Sequence, residues 1–374
     1  MRDEVDVLVV GMGPVGAVLA GLLGRHGVDT LAVERDAGPY PLPRAVACDD
    51  EVLRVLAGLP GGGDVLTHVN GHQRAAFVDA GGRRLVEVDF GETELGLAGL
   101  AFFHQPTLER VLRAGLATLP SVRARLGHAL TGLRQDADGA VASLRGPHGV
   151  TGEVRAGWLV GCDGAASGVR RAVDVAFTGR TLPSRWLVVD VATDSPLADR
   201  PYFTYTCDPA RPAVDMPMPG GHRFEWAVLP GEREEDLVAP ATVRALLGCR
   251  VDPDRVQVVR ACVYAFHARV ARRWRVGRVL LAGDAAHCMP PFAGQGLGAG
   301  VRDAANLSWK LAAVARGEAG ARLLDSYERE RRPHLATMTR LSRVVGAVLD
   351  ARDPTVVAVR DRVLPAAAAA PGLG

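Results

Sequence analysis

Lysine is almost missing from this chain: Lys310 is the only one, and every other strongly basic side chain is an arginine. Acidic residues nearly balance them, and the formal charge of +2 excludes the basic surface on which a nucleic-acid or polyanion binder relies. The arginine bias, with the abundance of Ala, Gly and Val, reads as the mark of a GC-rich coding sequence rather than of a function. Cysteine is sparse too. Cys48, Cys162, Cys207, Cys249, Cys262 and Cys288 form no C-x-x-C pair and no spacing that suits zinc or a disulfide framework. A reducing, cytoplasmic setting and no bound metal are therefore expected. His68 and His72 have the i, i+4 spacing of a metal pair, but they lie in a Gly-rich stretch with no third ligand and read as loop histidines. No stretch reaches about 18 apolar residues, so no membrane span is expected. The first apolar strand begins too early to leave room for a signal peptide.

What remains is a chain of 374 residues with ordinary apolar and charged fractions. It is long enough for one large α/β domain, or two that share a core, and can bury a sizeable ligand. Glycine gives the first positive signal. Residues 5–10 form a continuous apolar strand, as a parallel strand buried on both faces requires. Gly11-Met12-Gly13-Pro14-Val15-Gly16 follows, then a helical stretch, then a second strand over residues 30–33 that ends at Glu34. In such a βαβ unit Gly11 permits the tight turn, Gly13 lets a pyrophosphate approach the backbone, and Gly16 lets helix and strand pack closely. The phosphates then meet the open N–H groups at the helix start, and Glu34 is placed for ribose hydroxyls. This context points to a dinucleotide without choosing between NAD and FAD.

The same grammar recurs twice. Residues 159–161 read as a strand end before Asp163 and Gly164, with Ser167 as the N-cap of a short helix carrying Arg170 and Arg171. Residues 279–282 run as an apolar strand into Gly283 and Asp284, then through Pro290-Pro291 into a loop rich in glycine up to Gly300.

These three segments, with Glu34, Asp163 and Asp284, resemble the fingerprints of FAD-dependent aromatic hydroxylases of the single-component, p-hydroxybenzoate hydroxylase-like class. The middle one matches D-G-x-x-S-x-x-R at Asp163, Gly164, Ser167 and Arg170, and the last matches the G-D motif. YPLPRAVACDDEVLRVL at 40–56, FHQPTLERVLR at 103–113, FEWAVLPGEREEDL at 224–237 and the segment 283–311 look like 3-(3-hydroxyphenyl)propionate hydroxylases and phenol-type monooxygenases, over roughly residues 5–340. The resemblance implies an α/β fold. A Rossmann-like FAD-binding domain of the glutathione reductase type would carry an inserted, mostly-β substrate domain and C-terminal helices. It also implies FAD contacts at Gly11, Gly13, Pro14, Val15, Gly16, Glu34, Arg35, Arg44, Gln105, Asp163, Gly164, Gly283, Asp284, Pro291, Gly294, Gly296, Leu297 and Gly298. Asp284 would bind a ribityl hydroxyl, and the amides of Gly296, Leu297 and Gly298 would face the flavin ring. NAD(P)H would act as a transient reductant, which suits the lack of a second G-x-G-x-x-G. With O₂, a flavin C4a-hydroperoxide would hydroxylate a phenolic or polyketide-like ring.

The expected organisation is a first FAD-binding segment at 1–180, a β-rich substrate domain at 181–275, a return segment with C-terminal helices at 276–350, and a low-complexity tail at 351–374. Residues 72–90 and 128–155 alternate apolar and polar and suggest a small β layer inserted in the FAD domain. Helices are expected at 106–118, near 240–248, from about 298 to 315, and over 320–348. Members of the class usually continue past that last helix, which leaves oligomeric contacts and a homo-oligomer open. Candidates to orient or deprotonate a phenol are Tyr202, Tyr205, Arg223, Tyr264 and His267, with no base chosen among them. Pro290, Pro291 and Phe292 are placed to help exclude water, and His287 to brace the G-D loop. A related FAD-dependent oxidoreductase or halogenase is an alternative, although W-x-W-x-I-P is absent. A non-catalytic flavin-binding partner is another.

Overall fold

The computed structural model describes residues 3–71, 74–194, 197 and 200–368, in two compact units. His72 lies outside the described residues. The first unit comprises Met1–His68, His104–Arg180 and His267–Arg340. Its sheet runs in spatial order Arg275–Val276, Val279–Leu281, Thr151–Gly161, Asp3–Val10, Thr30–Glu34 and Val122–Leu126. The last five pair in parallel. Ala129–Gln135 and Ala140–Arg145 extend Thr151–Gly161 as an antiparallel meander. Parallel strands need apolar side chains on both faces, and Val7, Leu8, Val9, Leu31, Ala32 and Leu280 are all completely buried.

The register decides where a ligand can sit. Val10 stands beside Val33 and Gly161, and Gly161 beside Leu281. The turns after these four residues therefore leave the sheet together at its carboxyl edge, where open α/β sheets bind ligands. The helix Pro14–Arg25 packs against Gln105–Leu116 and Gln295–Ala315. Gln295–Ala315 begins three residues before the expected 298, after Gly294 in the left-handed conformation with φ +64°. It is joined to Asp325–Leu349 by Lys310, whose ammonium is fully buried 2.9 Å from Asn306 Oδ1 and 2.6 Å from Glu330 Oε2.

The second unit comprises Val69–Phe103, Thr181–Phe266 and Leu341–Gly374. Of residues 72–90, expected as a layer inserted in the first unit, residues 74–90 belong here instead, and Arg74–Asp79 pairs in parallel with Phe203–Cys207. Phe203–Cys207, Ala213–Met218, Gly221–Ala227 and the strand Phe177–Ala192 follow one another as antiparallel neighbours. On one face Leu187, Val189, Val191, Phe224 and Trp226 pack with Leu237, Val243 and Leu247 of two short helices. Strand alternation sends Asp190, Arg223 and Glu225 to the opposite face.

The Ala-rich end, expected as a tail, forms the helix Pro354–Ala368 within its described part. Asp353 caps it by accepting from the N–H groups of Thr355 and Val356 at 2.9 and 3.1 Å. Alanine is the least costly residue to place in a helix, so low complexity hid a capped element. Arg360 fastens it to the sheet through the Cys207 carbonyl at 2.8 Å. No helix among the described residues is long and apolar enough to cross a membrane.

Candidate functional site

The first turn is built from glycines with different duties. Gly11 adopts φ +98°, and a Cβ there would lie 2.5 Å from the Cys162 carbonyl oxygen; one at Gly16 would lie 1.9 Å from the Gly11 oxygen. Both positions are closed to side chains by backbone. Gly13 differs, because a Cβ there would meet nothing within 4 Å. Pro14 opens the helix Pro14–Arg25, whose N-terminus has no side-chain cap. Its first N–H groups therefore face open space with the positive end of the helix dipole behind them. Val15 packs against both Gly283 and Gly300, locking the first turn to the third.

Met12 is held at both ends. Its N–H donates to Glu34 Oε2 at 2.8 Å, and its carbonyl accepts from Arg113 Nη2 at 2.9 Å. Glu34 therefore shapes the turn, a duty that spacing alone did not reveal, and Arg113 escaped the sequence reading altogether. Arg113 Nε and Nη1 are buried and have no hydrogen-bond partner among the described residues. Arg35 is exposed beside Asp36 at 3.6 Å.

At the second turn Asp163 Oδ2 accepts from Val169 N–H at 3.0 Å, while the buried Oδ1 has no partner among the described residues. Gly164 adopts φ +78° and also fronts open space. Ser167 caps its helix as expected, accepting from Arg170 N–H at 2.9 Å. The Arg170 guanidinium donates to the carbonyls of Ala285 and Ala165 at 2.8 and 2.7 Å, tying the second turn to the third.

At the third turn Gly283 adopts φ +58° and Asp284 projects from it. The Asp284 side chain is solvent-exposed, with protein packed around its base. Burial pushes its carboxyl up, with His287 and Arg44 pulling the other way. Gly294 leads into the uncapped N-terminus of Gln295–Ala315, and a Cβ at Gly296 would meet nothing within 4 Å. Leu297 and Gly298 follow in its first turn, and Pro291 lies in the preceding short turn. Gln105 supports the site from behind. Its Oε1 accepts from the N–H groups of Arg44 and Ala45 at 3.1 and 2.8 Å, and its Nε2 donates to Glu109 at 2.8 Å. The Arg44 guanidinium lies over the Tyr40 ring at 4.4 Å.

Two uncapped helix ends, three glycines fronting open space and orphaned polar atoms on Asp163 and Arg113 suit a long, diphosphate-bearing cofactor. FAD fits that set.

The candidates for ring chemistry differ in their surroundings. Arg223 is committed to Asp190 by two contacts of 2.6 and 3.1 Å. Arg260 shares the same carboxylate at 2.5 Å and donates to the Tyr264 hydroxyl at 3.1 Å. Tyr205 is buried in a stack with Phe77 at 4.3 Å, which pushes its hydroxyl far up. Tyr202 is half-buried beneath Arg74, with the guanidinium 6.0 Å from its ring. His267 is half-buried on Gln257–Ala271, in the first unit.

Glu225, 3.9 Å from Arg223, was not foreseen. Burial pushes its carboxyl up, only partly offset by Arg223, and Asp190 adds to the rise. An acid raised in the folded state contributes full stability below its unfolded pKa, near 4.5, and loses it as pH rises through the folded value. Glu225→Gln removes that loss. Its melting temperature is expected to match wild type at acid pH and to gain on it as pH rises above the ordinary carboxylate range. An offset constant across pH in thermal melts would refute this.

The family described as FAD binding domain matches residues 4–342. The chain is 43% identical over 372 residues to a 3-(3-hydroxy-phenyl)propionate/3-hydroxycinnamic acid hydroxylase of Comamonas testosteroni, covering 99% of this chain and 63% of that protein. The counterpart of Klebsiella pneumoniae subsp. pneumoniae is 43% identical over 363 residues, covering 96% of this chain and 65% of that protein. The chain thus spans just under two thirds of the length of these curated relatives. Among solved structures, p-nitrophenol 4-monooxygenase from Pseudomonas putida DLL-E4 superposes with a TM-score of 0.90 at 29% identity, covering 99% of this chain and 95% of that one. Aklavinone-11 hydroxylase, in a ternary complex with FAD and aklavinone, gives 0.81 at 34% identity, with 93% and 70% covered.

Proposed function

The chain belongs to the FAD-binding-domain family, and from that premise we propose that it is an NAD(P)H-dependent monooxygenase that hydroxylates a phenolic ring. The observation that carries the reading is the register of Val10, Val33, Gly161 and Leu281, which brings the three acid-bearing turns to one edge. Gly13 and Gly164, in the first and second turns, and Gly296, at the helix start after the third, all front open space. The relatives named above act, by their names, on 3-(3-hydroxy-phenyl)propionate or 3-hydroxycinnamic acid, on p-nitrophenol and on aklavinone, all of them aromatic.

When bound, FAD would supply electron transfer from NAD(P)H to O₂ and delivery of one oxygen atom to an activated ring. The chain's own residues would do the rest. Amides at the start of Pro14–Arg25 would hold the diphosphate, with Glu34 and Arg113 keeping their turn in shape. Asp284 would fix the ribityl chain. The open amides of Gly296, Leu297 and Gly298 would stabilise negative charge on the ring edge, each such donor contributing on the order of 3 kcal/mol. Pro291 and Phe292 would help keep water away from the reacting atoms. Among the candidates for holding a phenol proton, the Tyr264 hydroxyl would be polarised by Arg260, which donates to it at 3.1 Å.

The test is NAD(P)H consumption by the purified, FAD-loaded chain across a panel of phenols, with mass analysis of products. Stimulated consumption and a product heavier by one oxygen is the expected result. Slow consumption that ignores every phenol and yields only hydrogen peroxide would overturn the proposal.

A further inference from the structure

Behind the turn that carries Asp284 stands a carboxylate that no motif singled out. Asp303, on Gln295–Ala315, is completely buried. Its Oδ2 accepts from Gly283 N–H at 3.1 Å and lies 2.6 Å from His287 Nε2, while its Oδ1 accepts from Arg331 Nε at 2.9 Å. The next helix closes the arrangement along one face. Tyr327 donates to the Leu281 carbonyl at 3.0 Å, Glu328 accepts from Trp274 N–H at 2.8 Å, and Arg331 Nη2 donates to the Ala299 carbonyl at 3.3 Å. Residues three and four apart on a helix share a face, which is why 327 and 328 both converge with 331 here.

A buried carboxylate is costly unless it is paired and hydrogen-bonded, and an apolar side chain would fill the same space more simply. Burial alone would push Asp303 up; His287 and Arg331 outweigh it and hold the carboxyl below its ordinary value. What a charged group adds is direction. It fixes the Gly283 N–H in a turn at φ +58° and orients the His287 ring, which in turn favours the charged form of Asp284.

We infer that Asp303, acting with His287 and Arg331, is a positioning residue for the ribityl and flavin half of the cofactor, and has no part in holding the adenosine half. The inference rests on the FAD reading above. The adenosine half would lie at the turn of Gly11 and Glu34, which Asp303 does not touch.

Two ligands separate the halves: FAD, followed by quenching of flavin fluorescence, and ADP-ribose, followed by calorimetry. In the full chain, Asp303→Asn is expected to weaken FAD about tenfold, or about 1.4 kcal/mol, and to leave ADP-ribose within about twofold. Glu34→Gln is expected to weaken both. If Asp303→Asn does not fold, His287→Gln against His287→Leu gives the same comparison, with the glutamine retaining FAD affinity. A general loss of stability would weaken both ligands equally in Asp303→Asn, and that result, or an unchanged FAD affinity, overturns the inference. A wild-type chain that refuses FAD overturns instead the reading on which it rests.

Discussion

Gly13→Val and Gly296→Val are each expected to yield a folded, colourless protein, whereas Gly16→Ala is expected not to fold. At Gly13 and Gly296 an added Cβ meets nothing within 4 Å, so the native backbone has room for a side chain to start there. That side chain would then stand where the diphosphate, or the flavin edge, must approach the amides. Losing those contacts should weaken FAD on the order of 100-fold or more, about 2.7 kcal/mol. At Gly16 the added carbon would sit 1.9 Å from a backbone oxygen, which no rotamer can relieve. Paired thermal melts and FAD titrations decide the matter. A yellow Gly13→Val protein of wild-type affinity would remove the first turn from the cofactor site. A Gly16→Ala protein that melts like wild type would mean that the turn is not the tight one described.

The second large effect concerns stability. Asp190 is shared by Arg223 and Arg260, all three buried on one face of the second unit's sheet. Asp190→Ala removes the carboxylate that two buried guanidinium groups share, and breaking a buried pair in this way costs about 3–5 kcal/mol. A matching loss in the denaturant midpoint is expected. Replacing Arg223 and Arg260 by methionine in the same variant should recover much of it, because apolar groups of similar volume often substitute for a buried ion cluster at little cost. A single variant that melts with wild type would show the cluster to be solvated.

The dinucleotide turn could be read from sequence because its determinants are local. Strand, glycines and helix follow one another within residues 5–34, and Gly11 and Gly16 answer contacts across one strand and five residues away. Ser167 and the helix near 240–248 were legible for the same reason. Arg113 was not, since it reaches Met12 across 101 residues, and nothing in its own helix marks it. Asp303 and Arg331 lie on helices whose pattern shows only amphipathicity. Residues 72–90 alternate in a way that suits either sheet, and only pairing with Phe203–Cys207 assigns them. Arg223 stood out as a polar group on a strand, the right observation for a buried charge, but the sequence could not show that Asp190 claims it.

The solitary amine on Gln295–Ala315 has a practical corollary. Lys310 is the chain's single lysine and is sealed between that helix and the next, the pair that also carries Asp303 and Arg331. Side-chain acylation by amine-selective reagents must wait for those helices to part. Its rate would report their breathing directly, and a bound flavin that tightens the pair should slow it.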